Sequence, residues 1–514
     1  MKLRSILIAA GIVLASNSLY AQYTSDVLRF SQPEIGASAR FKGLGGAQTA
    51  LGGDISSLSG NPAGLGFFTK SEFTLTPEFT NSKVGSEYLG NNLSDKKSKA
   101  GINQVGVVFY SPVNKPKGSD LNSGWVSLNF GIGYNKTNNF NTSISFGGKN
   151  PKSSMADYFA DLAGSTPTGS LVSGSLEKMA YDNYLIEYDP NGYFPTTATN
   201  NNQQNIITRS GSQSEVNIGM AGNYENKLYL GLSLGLTNIN YTSDLAYSEN
   251  GNIIRNPTNA NLPAYPTQPS DFLNGTYSFG YNSIQQTKGN GINAKLGLIY
   301  KPVNELRLGL SFVTPTWYSL TDNYSENLNT TFKRANGSTI PEYTNPLSSY
   351  NSEYSLRTPY KVSGGAAYIL GNSGLITADV EYVDYSSIHF SSDFASEETN
   401  TNRDIAALYK GNFNYRAGIE FKVVDNFMLR GGYSYAGTPY KNLDFTTQSY
   451  SGGLGYRFDN YYLDVTYRHT KWDSTNSPYT ISSDYPDYSF TGSGPTANLK
   501  NSVDNVFLTF GVRF

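Results

Sequence analysis

Cysteine is absent from this sequence, and histidine occurs only twice, as His389 and His469. Without Cys there is no disulfide framework and no thiol nucleophile, so the fold rests on hydrogen bonding and packing. Two His and no Cys also exclude the usual zinc clusters. Charge is scarce: 15% of the residues are Asp, Glu, Lys or Arg, against about 25% in an ordinary soluble domain. The formal net charge of −2 gives no basic footprint for nucleic acid. Beyond the first fifteen residues no apolar run is long enough for a membrane-spanning helix. A closed barrel is not excluded by that shortage, because its backbone groups are satisfied between strands. No acidic spacing fits a calcium loop. The chain is therefore read as a non-enzyme that needs no cofactor and no metal.

What is abundant points one way. Aromatics make up 14% of the chain, with 40 Tyr and 27 Phe, and there are 52 Gly. The start, Met1-Lys2-Leu3-Arg4 followed by an apolar run from Ile6 to Ala15 and by Ala21-Gln22, is the pattern of a secretory leader cut after Ala21. The last ten residues alternate: Val506, Leu508, Phe510, Val512 and Phe514 on one face, Asn505, Phe507, Thr509, Gly511 and Arg513 on the other. That is the period of an outer-membrane strand. Leu228, Leu230, Leu232, Leu234 and Leu236 repeat it, as do Ile292, Ala294, Leu296 and Leu298. Alternation alone leaves open which face meets lipid, although Gly, Ser and Thr opposite Leu suit a polar lumen.

Fourteen such segments are expected, near 71–80, 103–112, 124–146, 212–223, 228–241, 291–301, 305–315, 356–370, 374–387, 411–422, 427–437, 447–458, 461–471 and 503–514. Short turns alternate with long loops, as in barrels with periplasmic turns and extracellular loops. An even count puts both termini on the periplasmic side. The loop after 147 contains helical spacing at Ser154–Leu162 and Leu171–Tyr181.

One stretch breaks the pattern. Gly36–Gly66 is rich in small residues and has almost no side chains suited to catalysis. It is read as a plug inside the cylinder, which gives a leader (1–21), a hatch (22–70) and an all-β, 14-stranded antiparallel transmembrane barrel (71–514). Gly45 and Gly46 allow close packing and positive φ. They do not open a dinucleotide site, because position 48 is Gln rather than the third Gly. Asn61, Pro62 and Ala63 form a turn, with a gating role and a simple tie to the wall as open alternatives. Tyr23 and Phe30 are candidates for the ligand pocket, or else anchors of the hatch. Gly131 and Gly133 are candidates for a strand kink, or else relieve crowding against the plug.

With these residues in view, the chain resembles the long-chain fatty acid and toluene outer-membrane transporters (FadL/TodX type), in the version common in Bacteroidetes. The likeness rests on Asp26–Gln32, Gly43–Ala47, Ala50–Asp54 and the Asn61-Pro62-Ala63 triplet, and downstream on Thr358–Tyr368, Asp379–Tyr385, Leu429–Tyr433 and Gly453–Tyr456. It implies residence in the bacterial outer membrane and passive uptake of fatty acid-like or other hydrophobic small molecules. It implies lateral release where the third strand kinks. Implied partners are the apolar ligand, outer-membrane lipid and lipopolysaccharide, and the barrel-assembly machinery, which would read Phe510 and Phe514 at the C-terminus. Two alternatives accompany the family: a protein-binding shuttle in type IX secretion, and a haemin receptor with axial His ligation. An outer-membrane lipase is the enzymatic alternative, since spacing cannot pair either His with a Ser. Sideways release makes physical sense: a C16 chain carries about 12 kcal/mol of water-to-oil transfer free energy at roughly 0.8 per methylene, which an aqueous exit would forfeit.

Overall fold

Alternating side chains commit this sequence to strands, and the strands close on themselves. A computed structural model describes residues 17–190, 192–253, 275–344, 348–482 and 494–514. The wall begins with β1 (Glu72–Tyr88), β2 (Asn91–Phe109) and β3 (Trp125–Asn139), the last prolonged by β4 (Thr142–Asn150). A separate hairpin, β5 (Ile186–Asp189) and β6 (Gly192–Pro195), lies in the long connection that follows. Next come β7 (Asn201–Tyr224), β8 (Leu228–Asn252), β9 (Thr276–Tyr300) and β10 (Leu306–Val313), prolonged by β11 (Trp317–Lys333). β12 (Thr339–Thr344) and β13 (Ser348–Arg357) lead down into β14 (Lys361–Ile369). β15 (Gly374–Asp384), with its extension β16 (His389–Ser392), is followed by β17 (Gly411–Val424) and β18 (Phe427–Ala436). β19 (Thr447–Phe458), β20 (Tyr461–Asn476) and β21 (Ala497–Arg513) complete the wall. Counted as staves with their extensions, the described strands number the fourteen expected. β21 pairs with β1 from Glu72↔Arg513 to Glu87↔Asn498, which closes the cylinder.

The structure decides which face is which. Leu230, Leu232, Leu234 and Leu236 are all exposed, whereas Tyr229, Ser233 and Thr237 are buried. Apolar residues therefore face outward, as lipid requires. Aromatic rings border this band near the short turns, where Phe458 meets Tyr461 at 5.4 Å and Trp125 meets Tyr224 edge-on at 5.4 Å. A second border contains Tyr433 against Tyr450 at 5.2 Å.

Several strands run further than the alternation of lipid-facing residues predicts. β8 and β9 run on to Asn252 and back from Thr276 where a long loop was expected. Above the apolar band the outward residues turn polar, such as Asn238, Asn240 and Thr242, while Tyr241, Tyr247, Tyr277 and Phe279 continue inward. The period of two persists, but its apolar set has changed sides, so the lipid-facing rows are no guide to strand length there. The helical spacing after 147 corresponds to helices. Five helices matter to the argument: α1 (Asn17–Phe30), α2 (Ala39–Gly43), α3 (Met155–Ala163), α4 (Leu176–Asp182) and α5 (Ala395–Leu408). α3, α4 and the β5–β6 hairpin form a cap over the wall, with Phe159, Met179 and Leu185 packed among Tyr247, Phe279 and Leu328. The expected leader lies outside the described residues up to position 16, and the first turns of α1 fall within it.

Candidate functional site: hatch, cavity and seam

The hatch is held by polar contacts and by missing side chains. Asp54 caps the 3-10 turn Ile55–Leu58, accepting from Ser56 N at 2.9 Å and from Ser38 Oγ at 2.7 Å. Asn61 caps the next turn, Pro62–Phe67, accepting from Ala63 N at 3.1 Å. Its amide nitrogen donates to the Thr49 carbonyl at 2.6 Å and to the wall carbonyls of Leu298 and Leu310, both at 3.2 Å. Pro62, with φ fixed and no amide hydrogen to satisfy, suits the first position of that turn. The wall makes room with glycine: a Cβ on Gly297 would overlap Asn61 Oδ1, and one on Gly231 would overlap Ala63 N. Gly45 and Gly46 turn the chain after α2 with φ of 68° and 81°. A Cβ on Gly432 would strike Gly45 N.

Charges complete the fastening. Arg40 forks Glu420, Nε to Oε2 at 3.0 Å and Nη2 to Oε1 at 2.9 Å. Arg430 bridges from Glu420 at 2.6 Å to Asp464 at 2.7 Å. Asp379 accepts from Gln48 N, Thr49 N and Thr49 Oγ1 at 2.8, 2.8 and 2.7 Å. The Arg40–Glu420–Arg430–Asp464 chain is tolerated because each charge has an opposite partner, whereas Asp379 is held by hydrogen bonds from the hatch alone.

Tyr23 and Phe30 lie on α1, inside the upper barrel. Tyr23 is buried against Tyr354 and Phe390, with ring centroids at 5.3 and 5.0 Å, and its hydroxyl meets Ser352 Oγ at 2.7 Å. Phe30 packs edge-on to Phe140 at 6.0 Å and Tyr241 at 5.9 Å. Both rings thus pin α1 to the wall. Phe510 is exposed on the lipid face of β21, and Phe514 N donates to the Ser71 carbonyl at 2.9 Å.

Between α1 and the hatch lies a cavity. Pro33, Thr137, Glu215, Lys295, Lys361 and Glu381 are among its lining residues. Lys295 Nζ donates to Glu215 Oε1 at 2.6 Å and Asn217 Oδ1 at 2.7 Å. Arg416 donates to Glu381 at 2.8 Å. Lys361 Nζ donates to the Pro33 carbonyl at 3.1 Å. The chamber is polar at its base, whereas the rings around α1 make an apolar zone above it.

Thr137 brings the cavity to a break in the wall. β2 and β3 pair only from Gln104↔Asn135 to Phe109↔Phe130. The upper half of β2, Asn91–Asn103, pairs with β1 alone. β3 bulges between Lys136 and Asn138, stops, and resumes as β4 along β7. β4 lies behind the β1–β2 hairpin, where Asp95 accepts from Ser145 N at 2.7 Å and Ile144 and Phe146 pack with Val84 and Tyr88. The bend centres on Phe140 and Asn141, not on Gly131 and Gly133. Those glycines sit in the paired part of β3, and a Cβ on either would come within 3.3 Å of Leu58 of the hatch. The bend is fixed by the Phe140 ring between Phe30 and Tyr241, and by Phe140 N donating to the Gly211 carbonyl at 3.1 Å. Gly211 has φ 107°, and a Cβ there would overlap the Asn240 carbonyl. Glu34 N of the hatch donates to the Thr137 carbonyl at 2.8 Å. Sequence reasoning missed Thr137, Phe140 and Gly211. The signal was the run Thr137-Asn138-Asn139-Phe140-Asn141, a cluster of turn formers inside a strand pattern.

The histidines do not meet. His469 Nδ1 bonds Asp504 at 2.8 Å on the outer face, and His389 is half-buried 3.8 Å from Glu398. Gly231–Gly235 carries the Gly-x-Ser-x-Gly spacing of a hydrolase elbow, which belongs at a strand-to-helix turn. Here it lies within β8, close to the start of that strand, with Ser233 buried toward the lumen.

Known proteins agree with this geometry. A family model described as Outer membrane protein transport protein (OMPP1/FadL/TodX) matches residues 193–497. The chain is similar to the crystal structure of a Pseudomonas aeruginosa FadL homologue, at 14% identity and a TM-score of 0.50, covering 92% of this chain and 98% of that one. It is similar also to the Pseudomonas putida toluene transporter TodX, at 14% identity and a TM-score of 0.50, covering 94% and 100%. Likeness at that identity is likeness of fold. Comparison with curated proteins gives no match.

Proposed function

Because the chain belongs to the outer membrane protein transport family (OMPP1/FadL/TodX), we propose that it admits long-chain fatty acids or similar acidic amphiphiles and releases them sideways into the bilayer. It is an outer-membrane transport protein for hydrophobic compounds; the ligand class and the route are the proposal. The observation that carries the route is the cavity bordered by Thr137, where β3 has lost its partner β2. On this reading the carboxylate sits in the cavity, and the apolar chain takes its place among the rings around α1 by displacing their present packing. Lys361 spends one of its donors on Pro33, and an ammonium has three. The hatch blocks a straight aqueous path, so the seam is the exit that keeps the solute in an apolar phase. A haemin reading gains no support, since neither His lines the cavity.

The experiment is uptake of a fluorescent long-chain fatty acid into liposomes holding the purified protein. Acceleration over empty vesicles is expected, with return to background when Asn138–Asn141 is deleted so that β3 and β4 run straight. No acceleration for any apolar probe would sink the transport reading. Unchanged uptake by a folded deletion variant would sink the lateral route. A secretion defect with lipid uptake intact, on removal of the gene, would favour the shuttle alternative.

A further inference from the structure

The lipid-facing side of β2, β1, β21 and β20 carries a row of cations. Register sets Lys96 opposite Lys83, Lys83 opposite Ser502, and Ser502 opposite Lys471. Lys500 stands one row higher, opposite Gly85. All four lysines are exposed. Lys471 lies over the Tyr450 ring at 5.8 Å, and among the described residues none of the four makes an ion pair. Three carboxylates share the face, the exposed Glu87 standing one row above Lys500. Asp504 is occupied by His469 at 2.8 Å and Tyr467 at 2.6 Å, and Asp473 stands opposite Lys500.

The height of the row is fixed by the same register. The last apolar row is Ala100, Phe79, Val506 and Tyr467. Ser98, Asn81, Asp504 and His469 come next, and then the lysines. Two outward rows are four residues, roughly 13 Å along a strand and less once tilted. That is the headgroup zone at the extracellular end. Across the barrel, the comparable polar zone reads Asn240, Lys288, Thr321 and Glu353, one cation and one anion. The basic cluster is local, and it begins on β2, the strand that borders the seam.

Like charges directly opposite on a sheet face repel, so Lys83 and Lys96 favour an anion lying across them. We propose that this row binds the phosphate-bearing headgroup of an anionic outer-leaflet lipid, whose acyl chains lie on Phe79, Val506 and Ile102 below. Charge complementarity selects the phosphate, and the apolar rows beneath select a lipid over a free ion. The proposal rests on membrane residence and on the register, and is independent of what crosses the lumen.

The test uses the full chain in detergent micelles, titrated with bis-phosphorylated lipid A and read by native mass spectrometry. Saturable binding is expected, weakened roughly 100-fold in Lys83→Gln/Lys96→Gln/Lys471→Gln at about fivefold per surface lysine. The triple Lys→Arg variant should bind like the parent, as should Lys288→Gln on the far wall. Heat-modifiable gel mobility checks that each variant is folded. Equal binding by the triple Gln variant would overturn the proposal. So would equal binding of lipid A stripped of its phosphates. Inorganic phosphate competing as well as the lipid would overturn it too, by showing that a free ion suffices.

Discussion

β8 and β9 are bonded without a break from Leu228↔Tyr300 to Asn252↔Thr276, whereas β2 and β3 share only the ladder from Gln104↔Asn135 to Phe109↔Phe130. Both walls are written in the same alternation of outward apolar and inward small residues. They differ in what is fastened to them. The continuous wall holds the moving candidates still: Asn61 is bonded to Leu298 of β9 and Leu310 of β10, and Glu249 of β8 accepts from Met155 N at 3.0 Å and from Tyr247 and Tyr277 at 2.6 Å each, gripping the start of α3. The broken wall is where the hatch touches a strand that keeps β7 on one side but has lost β2 on the other, through Glu34 and Thr137. A barrel can thus be rigid on one side and interrupted on the other without any change in local sequence grammar. What differs is a single bend, and the bend is held by one aromatic ring and one glycine.

The largest expected effect removes that difference. Phe140→Ala deletes the ring between Phe30 and Tyr241, and should cost about 3 kcal/mol in urea unfolding from lipid vesicles. It should also slow fatty acid uptake, because β3 is freed to follow β2. A variant as stable as the parent would show that the bend is held elsewhere. Next comes Asn61→Ala on the continuous wall. It leaves the Thr49, Leu298 and Leu310 carbonyls without this donor and should cost about 2 kcal/mol. Liposome swelling in a small polar sugar should then rise, since the hatch fits the wall less closely. No gain in sugar entry would mean that Arg40, Asp379 and the wall glycines hold the hatch unaided.

The smallest effect concerns the cap. Burial, opposed by a bond from the Ser154 backbone and helped by nearby Glu249, raises the Asp157 carboxyl from its ordinary value to about 7. The folded value lies above the unfolded one, so the stabilisation is complete below the ordinary carboxyl range and is lost as pH rises through about 7. Proteolytic cleavage between 151 and 195 should therefore speed up between pH 6 and 8, by roughly the tenfold that 1.4 kcal/mol represents. Asp157→Asn should remove that pH dependence. A rate that is flat in pH for the parent would contradict the assignment.

Much of the architecture is legible in the residues alone. Fourteen alternating segments mark the wall, and the small residues from Gly36 to Gly66 mark the plug, because lipid and lumen impose opposite demands on neighbouring side chains. The bend is not legible from glycine. Gly131 and Gly133 are small because Leu58 occupies the space beside them, and a strand can need glycine for its neighbour as well as for its own shape. Phe140 reads as one more aromatic until its partners Phe30 and Tyr241 are known. The cavity is equally hidden, since Pro33, Glu215, Lys295 and Lys361 come from distant segments whose register no local pattern states.

The free edge of β2 has a consequence for the membrane itself. Ala100 belongs to the last apolar row, and Ile102, half exposed, lies in the row beneath it. Between them the backbone on the seam side has no strand to bond, and hydrocarbon supplies neither donor nor acceptor. Water or lipid glycerol must reach that depth to solvate the peptide groups. Local thinning of the bilayer at this point of the circumference is the expected consequence. Such mismatch costs a fraction of a kcal/mol per ångström. On the proposed lateral route, such thinning would shorten the oily path that a departing chain crosses.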